Sequence, residues 1–142
     1  MYTYQHKIKL HETDAAGIIF FSNQFKIIHD AYESLLEHIG LGFPELLRNK
    51  NYFLPIVHAE SEFKKPLFVG DLLEIHVTVA EVGQTSFTFA YTILNTQHET
   101  VGTAKTVHVT IDKATRQKIP LPHEMRDKIG IIYRQDQPSK RS

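Results

Sequence analysis

From Leu54 to Asp112 the chain repeats one pattern, apolar and polar residues in alternation, and nothing else in the sequence constrains its fold as strongly. Leu73, Ile75, Val77 and Val79 alternate with Glu74, His76 and Thr78, and Phe87, Phe89, Tyr91 and Ile93 alternate with Ser86, Thr88 and Thr92. Val101, Val107, Val109 and Ile111 share one parity, interrupted by Thr103 and Lys105. Val57, Ala59, Ser61 and Phe63 oppose His58, Glu60 and Glu62. A period of two belongs to a strand with one buried face. Val69-Gly70-Asp71, Val82-Gly83-Gln84 and Asn95-Thr96-Gln97-His98 supply turns. Connections this short favour antiparallel neighbours.

Upstream lie one more strand and a helix. Tyr2, Tyr4, Ile8 and Leu10 fall on even positions, again with period two. Phe25, Ile28, His29, Tyr32, Leu35, Leu36 and Ile39 form a helical stripe, capped at its start by Ser22 or Asn23 and ended by Gly40. A short helix from Pro44 to Asn51 and another over Leu121 to Ile129 complete the pattern. The fold class is therefore α+β, one long helix against a roughly five-stranded antiparallel sheet. At 142 residues the chain is a single domain, set here at residues 1–133, followed by a polar, disordered tail over 134–142. One covering helix leaves strand edges in need of a partner, so a dimer is expected.

Composition excludes several chemistries. Sixteen basic residues balance sixteen acidic ones, against nucleic acid as the main partner. With no cysteine there is no thiolate nucleophile, iron–sulfur cluster or disulfide. No apolar run is long enough for a membrane and no secretory leader opens the chain, so a cytoplasmic location is expected. Phosphate-loop, dinucleotide-binding, G-x-S-x-G and H-E-x-x-H motifs are all missing. His29 and Glu33 stand at metal-compatible helical spacing, but a hydrogen-bonded histidine at the core edge accounts for them better.

One segment remains unusual: His11-Glu12-Thr13-Asp14-Ala15-Ala16-Gly17, between the first strand and the long helix. Small residues at 15–17 open the backbone to close approach, and Gly17 counts among the substrate-binding candidates. The amides that follow, through Phe21, sit where a helix start offers free N–H groups and a positive dipole end. A carboxylate beside aimed amides suits hydrolysis of an activated acyl group, with Asp14 as base or nucleophile. A plain turn, capped by Thr13 or Asp14 with a positive φ at Gly17, fits the same spacing.

Thr13-Asp14-Ala15-Ala16-Gly17-Ile18-Ile19-Phe20-Phe21, followed by Asn23, resembles the signature of the 4-hydroxybenzoyl-CoA thioesterase family of hot dog folds. The likeness spans about residues 3–130 and includes the Gly70-Asp71 turn. His29-Asp30-Ala31-Tyr32-Glu33-Ser34 and Leu54-Pro55-Ile56-Val57-His58-Ala59 further resemble the 1,4-dihydroxy-2-naphthoyl-CoA hydrolases of quinone biosynthesis. The resemblance implies a catalytic aspartate at Asp14 and an oxyanion-binding backbone amide near Phe21, where many relatives carry Tyr or His. It also implies a homodimer with sites at the interface, often paired into a dimer of dimers. No metal or prosthetic group is implied, and coenzyme A arrives as part of the substrate.

With an acyl-CoA in view, His58 either lines the acyl pocket or sits in a subunit interface. Phe20, Phe21 and Phe53 are candidates for an aromatic wall or for plain core packing. Lys64 and Lys65 either meet the coenzyme A phosphates or are simply solvated. The function expected is hydrolysis of an aryl-CoA, 1,4-dihydroxy-2-naphthoyl-CoA first. A general short- or medium-chain thioesterase and a non-catalytic acyl-CoA binding module are the rivals.

Overall fold

The computed structural model of the protein describes residues 1–14, 16–19 and 21–136, with Phe21, Ser22 and Phe63 described by backbone alone. Strand β1 (Tyr2–Lys7) leads through a 3-10 turn (Leu10–Glu12) to helix α1 (Phe21–His38) and a short α2 (Phe43–Asn49). Then come β2 (Tyr52–Phe53), β3 (Ile56–Phe63), β4 (Leu72–Val82), β5 (Ser86–Leu94), β6 (Thr100–Val109) and β7 (Ile111–Asp112), closed by helix α3 (His123–Asp136). Five strands form one antiparallel sheet in the order β1-β4-β5-β6-β3, and β2 pairs with β7 as a small ribbon. The sheet wraps α1, which gives the hot dog arrangement.

Helix α1 forms because residues 21–38 hold no Gly or Pro and place Ile27, Ile28, Ala31, Tyr32, Leu35 and Leu36 on one buried face. It stops at Gly40, whose φ of +82° suits glycine. There the Leu41 amide donates to the Leu36 carbonyl at 2.8 Å and the Gly40 amide to Glu37 at 3.1 Å, a Schellman closure. Against this face stand Ile75, Val77, Phe87, Phe89, Tyr91 and Ile93 of the sheet, all buried. Helix α3 adds Met125 and Ile129 to the same core.

Element ends and strand faces differ in places from the sequence reading: β1 stops at Lys7, with Leu10 in the 3-10 turn, and α2 stops at Asn49. Ser22 and Asn23 lie inside α1 rather than capping it, because the helix begins at Phe21 and Asn23 Nδ2 donates instead to the Glu12 carbonyl at 2.8 Å. In β6 the alternating buried run is Gly102, Ala104, Thr106 and His108; Val101 and Val109 at its ends are buried as well, whereas Val107 between them is only partly so. A register shift between Ile56 and His58 makes Val57 the extra residue of a bulge, so Ile56 and Ala59, not Val57 and Ala59, face the helix. Helix α3 continues through Arg134, Gln135 and Asp136, which the sequence assigns to the tail. Asp136 is held there by the amino group of Met1 and by the Val79 amide at 3.3 Å. The rest of the expected tail, residues 137–142, lies outside the described residues.

Candidate active site

The loop before α1 is fixed from both sides. Thr13 bridges to Ile19, and Ile18 bridges to Phe68. The Asp14 amide donates to the Ile18 carbonyl at 2.8 Å, and the Ile19 amide to Leu67 at 2.8 Å. The Val69 amide closes onto the Gly17 carbonyl at 3.0 Å. Gly17 adopts φ +76°, yet a Cβ there would meet only Val69 Cγ1 at 3.9 Å. The left-handed φ by itself accounts for glycine at this position.

Within this turn Asp14 is exposed, and its Oδ1 accepts from the amides of Ala16 at 2.8 Å and Ile18 at 3.2 Å. The turn reading and the catalytic reading are thus both present in one carboxylate. Oδ1 orients the group, and Oδ2 has no hydrogen-bond partner among the described residues. An anionic oxygen aimed by two amides and open to solvent is equipped to take a proton from water or to attack a carbonyl.

Glu12, the other acid of the loop, is spoken for. It is only 2% exposed, and its carboxylate accepts from the Lys9 amide at 2.8 Å and lies 2.9 Å from His6 Nε2. Burial alone would push Glu12 up, but the Lys9 amide and His6 outweigh it and hold the group below its ordinary value. Glu12 is a structural anchor that ties β1 to the loop.

Phe21 is the first residue of α1, so its amide belongs to the turn whose N–H groups have no intrahelical partner. One turn further, an apolar slot of about 160 Å³ opens between α1 and the sheet, walled by Phe25, Ile28, Tyr32, Ile56, Ala59 and Tyr91. A larger concavity of about 500 Å³ lies beside β1, β4 and the β5–β6 turn. It is lined by none of the catalytic candidates and has no aromatic wall, so the slot beside α1 is the better acyl site.

Residues 8–129 match the Thioesterase-like superfamily. The chain belongs to this superfamily. It is 35% identical over 131 residues to the 1,4-dihydroxy-2-naphthoyl-CoA hydrolase of Synechococcus elongatus, covering 92% of this chain and 96% of the relative. Identity to the hydrolase of the same name from Rippkaea orientalis is 37% over 127 residues, 88% of this chain and 92% of that one. Among solved structures, a 1,4-dihydroxy-2-naphthoyl-CoA thioesterase from Synechocystis superposes with a TM-score of 0.86 at 30% identity, covering 96% of this chain and 98% of that chain. A gentisyl-coenzyme A thioesterase superposes with a TM-score of 0.81 at 27% identity, over 90% of this chain and 99% of that chain.

In this thioesterase-like chain the other candidates fall in different places. Phe20 lies outside the described residues, as does the side chain of Phe21. Lys64 and Lys65 follow β3 at the Asp14 end, two or three residues before Leu67, whose carbonyl takes the Ile19 amide. Both are exposed and carry acidic neighbours: Lys65 pairs with Glu99, and Lys64 stands 3.8 Å from Glu62. His58 is exposed on the outer face of β3, paired in register with Val107, with Nε2 3.3 Å from Glu60. It does not line the slot of its own chain.

Phe53 sits beyond the opposite end of β3, an eight-residue strand about 26 Å long. Its ring lies under Lys113 and Arg116, 5.5 and 5.2 Å from the centroid. Sequence reasoning assigned no role to Tyr91, Thr106 or His108, which form a buried polar cluster beside the slot. Their shared signal was weak: polar residues on strand positions that face aromatic neighbours. His29, by contrast, behaves as expected at the core edge, with Nδ1 2.9 Å from Glu33.

Proposed function

We propose that the protein hydrolyses an aryl-CoA thioester, with 1,4-dihydroxy-2-naphthoyl-CoA as its first substrate and Asp14 as the base or nucleophile. The observation that carries this reading is the Asp14 carboxylate, held through one oxygen by two amides on a loop that leads into the start of α1. Relatives named for this substrate, alike over most of both chains, support its choice.

The chemistry follows from the geometry. The thioester carbonyl lies at the start of α1, where the Phe21 amide and the positive helix end stabilise the developing oxyanion. Asp14 takes a proton from water as it attacks, or attacks the carbonyl itself to give a mixed anhydride that water then opens. The coenzyme A thiolate leaves in either case. One turnover in oxygen-18 water probes the routes. Label found in Asp14 marks an anhydride opened at that carboxyl, whereas label only in the product acid marks attack of water on the substrate acyl carbon, directly or through the anhydride. Water, one carboxylate and backbone amides are the only groups this route employs, with coenzyme A entering as part of the substrate. Lys64 and Lys65, at the same end, are the cations proposed to meet its phosphates.

Assembly completes the site in this reading. Strand β3 is a sheet edge with β6 as its one neighbour, and it exposes Ile56 at 39% and Val57 at 56%. An open edge of this kind pairs with a second copy about a two-fold axis. Antiparallel pairing of β3 with itself brings the Asp14 end of one protomer toward the Phe53 and His58 end of its partner. Leu10, Phe68, Val69 and Leu72 expose a second apolar surface suited to joining two dimers. We place the activity in the cytoplasm; no helix among the described residues is long and apolar enough to cross a membrane.

The test is thiol release from a panel of aryl and aliphatic acyl-CoAs. Preference for the aryl members supports the reading, and preference for aliphatic chains replaces it with a general acyl-CoA thioesterase. The engagement of Asp14 Oδ1 as a turn cap favours one further alternative, a binding module. Binding of every thioester without thiol release would establish that instead.

A further inference from the structure

Buried donors and acceptors rarely go unpaired, because an orphan forfeits its bonds to water and gains none in return. Here the Tyr32 hydroxyl and His108 Nδ1 are both buried without a partner among the described residues. They belong to one cluster, with ring centroids 4.3 Å apart between α1 and β6. Tyr91 and Thr106 extend it: the Tyr91 hydroxyl and Thr106 Oγ1 are 2.8 Å apart, and Thr106 Oγ1 lies 2.7 Å from His108 Nε2. Tyr32, Tyr91 and Thr106 also line the apolar slot.

The chain of hydrogen bonds can run either way. Burial, with a smaller contribution from His29, pushes His108 down to about 3, so its ring is neutral and carries one proton. With that proton on Nδ1, Tyr91 donates to Thr106 and Thr106 donates to Nε2. With the proton on Nε2, both bonds reverse, and the Tyr91 hydroxyl has a proton to give elsewhere. A ligand oxygen at Tyr91 therefore meets an acceptor in one setting and a donor in the other. A ring hydroxyl, which donates and accepts, is matched by such a chain; a hydrocarbon is not.

We infer that Tyr32, Tyr91, Thr106 and His108 form the hydroxyl-reading floor of the acyl site, selecting thioesters of ring-hydroxylated aromatic acids over unsubstituted ones. The inference rests on the aryl-CoA reading above and adds the residues that set its specificity. The slot, at about 160 Å³, is close to the roughly 150 Å³ of an engineered cavity that holds benzene, so it admits one ring of the bicyclic acyl group, the ring that carries the carbonyl and both hydroxyls. Phe25, Tyr32 and Tyr91 present aromatic walls to it, and Tyr32 is itself backed by Phe43, edge-on at 5.6 Å, and by Phe89 at 5.8 Å. The slot begins with Phe25, four residues and about 6 Å along the helix from Phe21. A ring bonded directly to a carbonyl at the Phe21 amide therefore enters the slot at its Phe25 end.

The experiment compares kcat/KM for 1,4-dihydroxy-2-naphthoyl-CoA and 2-naphthoyl-CoA in the wild type, Tyr32→Phe and Thr106→Val. Dividing each variant's ratio by the wild-type ratio cancels the intrinsic reactivity of the two thioesters. Tyr32→Phe deletes an oxygen that has no partner among the described residues, so the fold is retained; a thermal melt checks both variants. The expected result is a fall in the ratio of about 10- to 100-fold. A ratio within about twofold of wild type in both variants overturns the inference.

Calorimetric binding of free 1,4-dihydroxy-2-naphthoate against 2-naphthoate repeats the comparison without turnover. A wild type that hydrolyses neither thioester, yet binds the hydroxylated acid more tightly in a way Tyr32→Phe abolishes, sinks the thioesterase reading and keeps the slot. Equal binding of the two acids to the wild type overturns the slot inference whether or not thioesters are cleaved.

Discussion

His108 makes the stability of this protein depend on pH in a calculable way. Its ring is fully buried, stacked on Phe87 at 4.9 Å, and pushed down from 6.5 to about 3 by burial, with His29 adding to the effect. Below pH 6.5 the unfolded chain takes a proton on this residue and the folded chain does not. The stabilisation is therefore complete above pH 6.5 and is lost as pH falls from 6.5 toward 3. A lowering of that size corresponds to about 5 kcal/mol at its acid limit, of which about 2 kcal/mol is gone between pH 7 and pH 5. With a urea dependence of about 2 kcal/mol per molar, the unfolding midpoint drops by roughly 1 M over that interval from this residue alone. His108→Gln keeps a hydrogen-bonding amide in reach of Thr106 but removes the titration. The assay is urea unfolding at pH 7 and pH 5 for both proteins, and the variant should lose about 2 kcal/mol less than the wild type. Equal losses in the two proteins, or an NMR titration of His108 centred near 6.5, would refute the reasoning.

Three further outcomes follow from the site and its scaffold. Gly17→Ala forces a left-handed φ on a residue with a Cβ but meets no clash, so thermal unfolding should show a loss of about 1–2 kcal/mol, with thiol release falling as the Asp14 turn relaxes. A variant as stable as wild type would mean that the turn does not hold this conformation. Glu12→Gln removes the charge that accepts from Lys9 and His6, and denaturant unfolding at pH 7 should register a cost of about 1.5–3 kcal/mol; no change would show the carboxylate to be dispensable. Val57→Lys on the open β3 edge tests the proposed dimer: the wild type should sediment as a dimer in analytical ultracentrifugation, the variant as a monomer with reduced thiol release. A fully active monomer would disprove the interface site.

The sheet and α1 were legible in the sequence because their signals are local. Alternation marks β4 and β5, and the stripe from Phe25 to Leu36 marks the helix. What escaped depends on contacts far apart in the chain. The start of α1 was misplaced because Asn23, a good cap by type, spends its amide on the Glu12 carbonyl. The inner face of β6 was misread because the helix side of that strand takes Gly102, Ala104, Thr106 and His108, small or polar residues, while Val107 is only partly buried. The end of α3 was cut short because its polar last turn is held by Met1 and Val79, partners that no periodicity reveals. Asp14 stood out through its motif. The slot did not, since it draws on α1, β3, β5 and β6 at once, and a bulge at Val57 decides which β3 residues reach it.

The account rests most heavily on Asp14, and one comparison tests it most directly: thiol release from 1,4-dihydroxy-2-naphthoyl-CoA by wild type and by Asp14→Asn. The asparagine oxygen still accepts the amides of Ala16 and Ile18, so the variant should melt as wild type does. Without an anionic oxygen it should lose about 100- to 10,000-fold in kcat. A folded Asp14→Asn that releases thiol at close to the wild-type rate would contradict the account and leave Asp14 as the cap of a turn.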